Sequence, residues 1–303
     1  GPGNSAATVL FERGPEQFDD FGTRIDANVL IGSNRRFDRN LDAALGNRDG
    51  YLRLSGNQTK AHDYNDGNGQ RVPSRWNKWN SDMALGWTPG ENTLLELTAG
   101  AGDGESRYAG RGMDGTQFKR ESLGLRFKQE QLSEHWHALE AQVYYNYADH
   151  IMDNYTLRSP DPQAAMAMMQ NPFVSHVDRR TLGARLKGSW QWDDVGLVAG
   201  IDAQRNEHRA RKGAAASYKN QNLKKDAEFG QWGLFAETTW QVAVRDRVVS
   251  GLRLDRHRAR DKRSQLCNMM GMGCFSNPSY NNTPSTTLPS GFIRHEHDLS
   301  SLR

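Results

Sequence analysis

No stretch of this chain approaches the roughly 20 consecutive apolar residues of a membrane-spanning helix, so it is not a membrane protein built from helices. Charge of one sign is also lacking: 39 Lys and Arg against 36 Asp and Glu leave a net +3 over 303 residues. That balance argues against a dedicated nucleic-acid binder. Cysteine is almost absent, and the two present, Cys267 and Cys274, cannot define a disulfide scaffold. Hydrophobic residues are only 36% of the chain, and the mean hydropathy is −0.82. That average resembles a soluble protein. It is equally the average of a transmembrane β-barrel, in which only every second residue meets lipid. The opening GPGNSAATVLFERGPEQF has no secretion-signal pattern and reads as the interior of a longer polypeptide.

What the chain does have is alternation. Along 228–242 one face reads Trp232, Leu234, Ala236, Thr238, Trp240, Val242, and the other reads Gln231, Gly233, Phe235, Glu237, Thr239, Gln241. Side chains of a strand point to opposite faces with period two, so one face suits oil and the other water. The same contrast recurs twelve times, with strands expected at 23–33, 37–46, 51–62, 75–87, 93–102, 116–129, 136–149, 179–192, 195–209, 228–242, 247–261 and 291–299. After one short connection at 34–36, the connections alternate between short (47–50, 89–92, 130–134, 193–194, 243–246) and long (63–74, 103–115, 150–178, 210–227, 262–290). Up-and-down strands with tight turns at one end and long loops at the other are the pattern of outer-membrane barrels, with the short turns periplasmic.

Two independent features agree. Trp87, Trp136, Trp190, Trp192 and Trp240 all lie beside short turns, where indole rings favour the headgroup level. The expected lipid face is free of charge: Leu182, Ala184, Leu186, Gly188 and Trp190 point out, while Arg185 and Lys187 point in. Likewise Leu123, Leu125 and Phe127 oppose Arg126 and Lys128, and Leu139, Ala141, Val143 and Tyr145 oppose Glu140 and Gln142. The fold class expected is all-β, an antiparallel up-and-down transmembrane β-barrel. A soluble β-sandwich or other β-rich binding protein is the alternative of a different class. No Ser/His/Asp or paired-carboxylate constellation asks for covalent chemistry, so no enzyme is expected.

These residues resemble a known family. The opening GPGNSAATVLFER is similar to the last stretch of the plug of TonB-dependent outer-membrane receptors, and Ala27, Val29, Ile31, Gly32, Ser33 and Asn34 match the first barrel strand and its turn. The resemblance implies residues 1–17 as the end of a plug domain and 18–303 as the N-terminal half of a barrel, about 12 of 22 strands. It also implies a Gram-negative outer membrane, its lipids as surroundings, and energy coupling to a TonB–ExbB–ExbD complex through a region outside this chain. More narrowly, Asp149–His150–Ile151–Met152–Asp153–Asn154 is similar to the His-x-Met element of the copper receptors in that family. There the element holds copper together with a Cys-x-x-x-Met element of the plug, which would lie upstream of Gly1. The expected function is uptake of copper ions. A receptor of the same fold for a metal–siderophore or cobalamin-like ligand is the alternative, using loop residues such as Arg107, Tyr108 and Arg111.

His150 and Met152, two residues apart, share a face if the strand persists, the lumen face of Tyr144, Asn146 and Ala148. Thioether sulfur favours Cu(I), and imidazole also binds Cu(II) or Zn(II). Weaker metal candidates are Met269, Met270 and Met272, which lie between Cys267 and Cys274, with Met166, Met168 and Met169 in another loop. Flexible methionines that fill gaps over the plug are preferred for both sets over a chain of weak thioether sites that passes copper inward. For Cys267 and Cys274 a loop-stapling disulfide is favoured over metal thiolates. The pairs His135/His137 and His295/His297 each share a face and are expected as solvated strand ends.

Overall fold

The computed structural model describes residues 14–267 and 273–299. Among these described residues sixteen strands form: β1 (Gly22–Gly32), β2 (Arg36–Asn47), β3 (Gly50–Ala61), β4 (Tyr64–Asn65), β5 (Arg71–Val72), β6 (Trp76–Trp87), β7 (Thr93–Ser106), β8 (Asp114–Glu130), β9 (Trp136–Asp153), β10 (Phe173–Trp192), β11 (Val195–Ala214), β12 (Lys224–Ala243), β13 (Asp246–Asp261), β14 (Gln265–Cys267), β15 (Cys274–Ser276) and β16 (Ser285–His297). Twelve make one sheet in the order β1-β2-β3-β6-β7-β8-β9-β10-β11-β12-β13-β16, every neighbour antiparallel and next in line. The sheet is a stretch of up-and-down barrel wall. The hairpins β4–β5 and β14–β15 lie within long connections. Among the described residues no helix is long and apolar enough to cross a membrane.

Register explains the two faces. Leu95, Phe127, Ala141, Leu186, Ile201, Leu234 and Leu254 are successive partners across seven strands. The large side chains Leu186, Ile201, Leu234 and Leu254 are exposed, an apolar row that no described residue covers. One residue along, Glu96, Arg126, Gln142, Arg185 and Asp202 form the adjoining row on the other face. That second face carries the ion pairs. Arg253 bridges Asp202 (2.8 Å) and Asp255 (2.6 Å), Lys187 reaches Glu140 (3.0 Å), and Arg120 reaches Asp82 (2.8 Å). Residues 14–21 run against this face too, where Glu16 meets Arg24 at 2.9 Å and Arg53 at 3.3 Å. An apolar outer face and a charged inner one belong to a wall between lipid and an aqueous lumen.

The tryptophan belt takes shape at the short-turn end. Trp136 and Trp190 are register partners, stacked with centroids 5.9 Å apart, and Trp87, Trp192 and Trp240 are exposed. At the other end the strands run further than the alternation predicts. β9 continues to Asp153 rather than 149, β10 begins at Phe173 rather than 179, and β11 reaches Ala214 rather than 209. The loop after β9 therefore shrinks to 154–172. Above the bilayer both faces meet water, so the polarity contrast fades while the ladder of backbone hydrogen bonds continues.

Candidate metal-binding site at the open end of the wall

His150 and Met152 lie within β9, not in a loop. Across the sheet His150 faces Phe118 of β8 and Val177 of β10, and Met152 faces Gly115 and Ser175. Between Gly115 and Gln117 the β8–β9 register shifts, with Thr116 as the extra residue of a bulge. The bulge keeps Gly115 on the face of Phe118. A Cβ at Gly115 would lie 2.0 Å from Phe118 Cζ, so only glycine leaves room for the ring there. The Phe118 ring then covers the His150 imidazole, centroids 4.6 Å apart and planes 33° from parallel. Lys78 Nζ sits 5.6 Å from the centroid of the Phe118 ring. Phe118 shares its face with Arg120, which reaches Asn80 (2.7 Å) and Asp82 (2.8 Å), so His150 points into the lumen.

His150 Nε2 is buried and has no hydrogen-bond partner. A buried polar atom left unpaired is costly and uncommon. An imidazole nitrogen left without a partner in this way, on the same strand face as the Met152 thioether, suits a soft metal ion. Among the described residues no three His, Cys, Asp or Glu side chains gather in a metal-binding arrangement. His150 and Met152 place one imidazole and one thioether on the lumen face of β9.

The rest of the Asp149–Asn154 segment builds the frame. Asp149 points outward, where its Oδ1 lies 2.6 Å from His176 Nε2 and the Tyr147 hydroxyl donates to its Oδ2 at 3.1 Å. Asp153 accepts from the backbone of Tyr155 (3.1 Å) and Thr156 (2.8 Å) and from the hydroxyls of Thr156 (2.6 Å) and Thr116 (3.2 Å). Asn154 donates to the carbonyls of Met169 (2.7 Å) and Asn171 (3.1 Å) and accepts from Phe173 N–H (2.8 Å). Both ends of loop 154–172 are thereby tied to one side chain. Asp114, fully buried, accepts from Tyr108 N–H (2.9 Å) and Arg158 Nε (2.8 Å), joining that loop to loop 107–113.

Sequence reasoning missed Phe118, Gly115, Asp114 and Arg158. An aromatic ring on the charged face of β8 was the signal for Phe118. Of the other candidates, Arg107 Nη1 pairs with Asp63 while its Nε is buried without a hydrogen-bond partner, and Arg111 lies over the Tyr108 ring at 5.5 Å. Met169 is buried, with its Cε 3.1 Å from where a Gly112 Cβ would be, whereas Met166 and Met168 are exposed. Met269, Met270 and Met272 lie outside the described residues. Cys267 and Cys274 are register partners of β14 and β15, joined as a disulfide. His295 and His297 both hydrogen-bond Asp246, at 2.9 and 2.8 Å, and His135 stacks on Trp192 at 6.3 Å.

A wall of this kind, with an N-terminal segment laid along its lumen and long structured loops at one end, defines part of a large transmembrane receptor barrel. The chain belongs to the TonB-dependent receptor β-barrel family: the family model "TonB dependent receptor-like, beta-barrel" matches residues 55–300. The soluble β-rich alternative is thereby set aside. Among solved structures the chain is similar to the copper transporter OprC, at 57% identity and a TM-score of 0.93, covering 99% of this chain and 47% of that one. The FrpB iron transporter from Neisseria meningitidis shares the fold at 13% identity and a TM-score of 0.67, covering 92% of this chain and 44% of that one. So does the ferric-catecholate import receptor Fiu from E. coli, at 12% identity and a TM-score of 0.61, covering 93% and 51%. The chain thus spans about half the length of the solved structures it matches. No match was found among curated proteins.

Proposed function

We propose that this chain is part of an outer-membrane receptor that takes up copper, and that His150 and Met152 are the barrel-side ligands of the ion. The observation that carries this reading is the buried, unpartnered Nε2 of His150 on the lumen face, two residues from Met152, in a chain 57% identical to a copper transporter. Two ligands leave the coordination sphere open, which suits completion by a plug. Residues 1–17 are read as the end of that plug and 18–303 as the N-terminal half of the barrel. A copper ion is the cargo, and a TonB–ExbB–ExbD complex supplies the energy. The step is binding and release, with no bond of the cargo made or broken beyond coordination.

The chelate-receptor reading loses its support at the residues it needs, because Arg107 is held by Asp63 and Arg111 by the Tyr108 ring. The test uses the full-length protein with His150→Ala and Met152→Ala, purified in the presence of copper. Metal content should fall from near one equivalent to background, while heat-modifiable migration on gels shows an intact barrel. Unchanged copper content overturns the assignment. Growth rescue by a chelated iron source, without response to copper, would replace it with the chelate reading.

A further inference from the structure

The outer face of β11–β13 carries a cluster that copper uptake does not use. Arg205, Gly230 and Arg258 are successive register partners on three neighbouring strands, and Trp232 and Arg256 are partners one step below. All of these share the outward face with Leu234 and Leu254. A Cβ at Gly230 would meet nothing within 4 Å, so the floor between the two arginines is open. Strands are about 4.8 Å apart, which sets the Arg205 and Arg258 backbones about 10 Å from one another. Guanidinium arms from both sides can close on a group of phosphate size in that gap.

The groove there is lined by Arg205, Arg256 and Arg258, with Leu182 the register partner of Arg205 and Trp232 that of Arg256, and by Ala184 and Ala203 below them. Its charge is uneven. Arg256 and Arg258 make no ion pair among the described residues, and Arg256 Nε is buried without a partner. Of the nearby carboxylates, Glu207 meets Arg205 at 2.7 Å and Lys225 at 3.0 Å, and Glu228 meets Lys225 at 2.8 Å and both Arg205 and Arg260 at 3.7 Å, so three cations are shared by two carboxylates. The height fits as well. Arg205 lies ten residues beyond Val195, where β11 starts, and Arg256 ten beyond Asp246, where β13 starts. At about 3.3 Å per residue and a tilt of about 40°, ten residues climb about 25 Å, the height of the apolar band of such barrels. The arginines therefore stand at the outer-leaflet headgroup level with Leu182 and Trp232 beside them, while Ala184 and Ala203, each eight residues from a short turn, lie below in hydrocarbon.

We propose that this groove is a binding site for an outer-leaflet lipid whose headgroup bears a phosphate monoester. The phosphate sits between Arg205 and Arg258 over Gly230, Arg256 donates to it from the next register row, and an acyl chain runs down past Leu182 and Trp232 along Ala184 and Ala203. Arginine is suited to this role because its planar fork donates two parallel hydrogen bonds to phosphate oxygens. The proposal rests on the barrel lying in a lipid bilayer and not on copper as cargo.

The test is native mass spectrometry of the full-length protein in detergent, with dioleoyl phosphatidic acid, dioleoyl phosphatidylcholine and inorganic phosphate as probes. The wild type should retain phosphatidic acid about tenfold better than phosphatidylcholine, and inorganic phosphate should not displace it. Arg205→Gln, Arg256→Gln and Arg258→Gln together should remove that preference. Gly230→Leu, which fills the floor and leaves every charge in place, should lower phosphatidic acid retention as well. Equal retention of the two lipids by the wild type, or undiminished phosphatidic acid binding by the triple variant, overturns the proposal. Displacement by inorganic phosphate alone also overturns it, since the site would then read a free anion. Copper content measured on the same samples keeps the two readings apart: lipid lost with copper kept, or the reverse, rejects only one of them.

Discussion

A single strand, β8, shows two regions of this molecule side by side. On its outward face Leu123 and Leu125 are exposed apolar residues, whereas Lys119 and Glu121 on the same face form a 2.7 Å ion pair. Glu121 stands nine residues above Glu130, about 23 Å up a strand tilted by about 40°. Below that level lipid covers the outer face, and above it water does. The lower wall keeps its shape because each row faces the solvent it suits. The upper rim has water on both sides and is organised instead by buried polar contacts: Asp114 with Arg158, Asp178 with Arg209, and His176 with Asp149. His150 and Met152 belong to the rim, so the stiffness of the candidate site comes from these contacts and not from the bilayer.

The largest effect that can break this contrast is expected at Asp114. Asp114→Ala leaves Arg158, only 18% exposed, facing a buried gap. Removing one partner of a buried ion pair costs about 3–5 kcal/mol. The cost should fall on the rim: limited proteolysis should cut loop 154–172 faster, while heat-modifiable migration of the barrel is kept. Equal loss of both would show that rim and wall are one cooperative unit. Leu125→Arg should give the opposite pattern, with a loss of about 2–4 kcal/mol in the folding of the wall from a cation facing hydrocarbon, measured by reversible unfolding in lipid. A neutral result there would place Leu125 outside the bilayer.

Smaller effects sharpen the description of the rim. Asn154→Ala removes three hydrogen bonds that tie both ends of loop 154–172 and should cost about 1–3 kcal/mol locally, seen as faster amide exchange at Phe173. Asp63, beyond the end of β3, gives the rim a pH dependence. Burial alone would raise its carboxyl, but the backbone N–H groups of Ser74 and Arg75, with Arg107 and Arg71 nearby, hold it below the ordinary carboxylate range. A depressed carboxylate contributes stability that is fully present above the unfolded-state value and is lost as pH falls through the folded one. Exchange protection around 63–75 should therefore fall in acid before that of the wall, and Asp63→Asn should abolish the difference.

The wall was legible in the sequence because lipid and lumen impose opposite demands on alternate residues. Trp232 and Leu234 against Gln231 and Glu237 state both faces of β12 outright. Residues 150–153 read as loop because Asp149, His150 and Met152 are polar or adaptable on either face, so alternation had no contrast to show. The hairpin β4–β5 was legible in principle from Asn65–Asp66–Gly67–Asn68–Gly69. There the Asp66 carboxylate accepts from the backbone of Asn68 and Gln70, both at 2.9 Å, and Gly69 takes a φ of +79°. The pairing of Asp114 with Arg158 was not legible, because two charges 44 positions apart carry no period and meet only once the loops close.

The smallest effect marks the boundary between the regions. Lys119 and Glu121 are both largely exposed, and an exposed ion pair adds little to stability. Replacing both, Lys119→Leu with Glu121→Leu, should leave the unfolding of the wall in lipid unchanged, because water covers that face at their level. The two variants Leu125→Arg and Lys119→Leu/Glu121→Leu differ only in height along one strand and in the sign of the polarity change. If the bilayer reached as high as Glu121, the double leucine variant would be more stable than wild type by an amount comparable with the loss at Leu125. That gain would move the headgroup level upward by at least one full row. It would put Lys119 and Glu121 in hydrocarbon, and the division of β8 into a lipid-facing and a water-facing half would have to be redrawn.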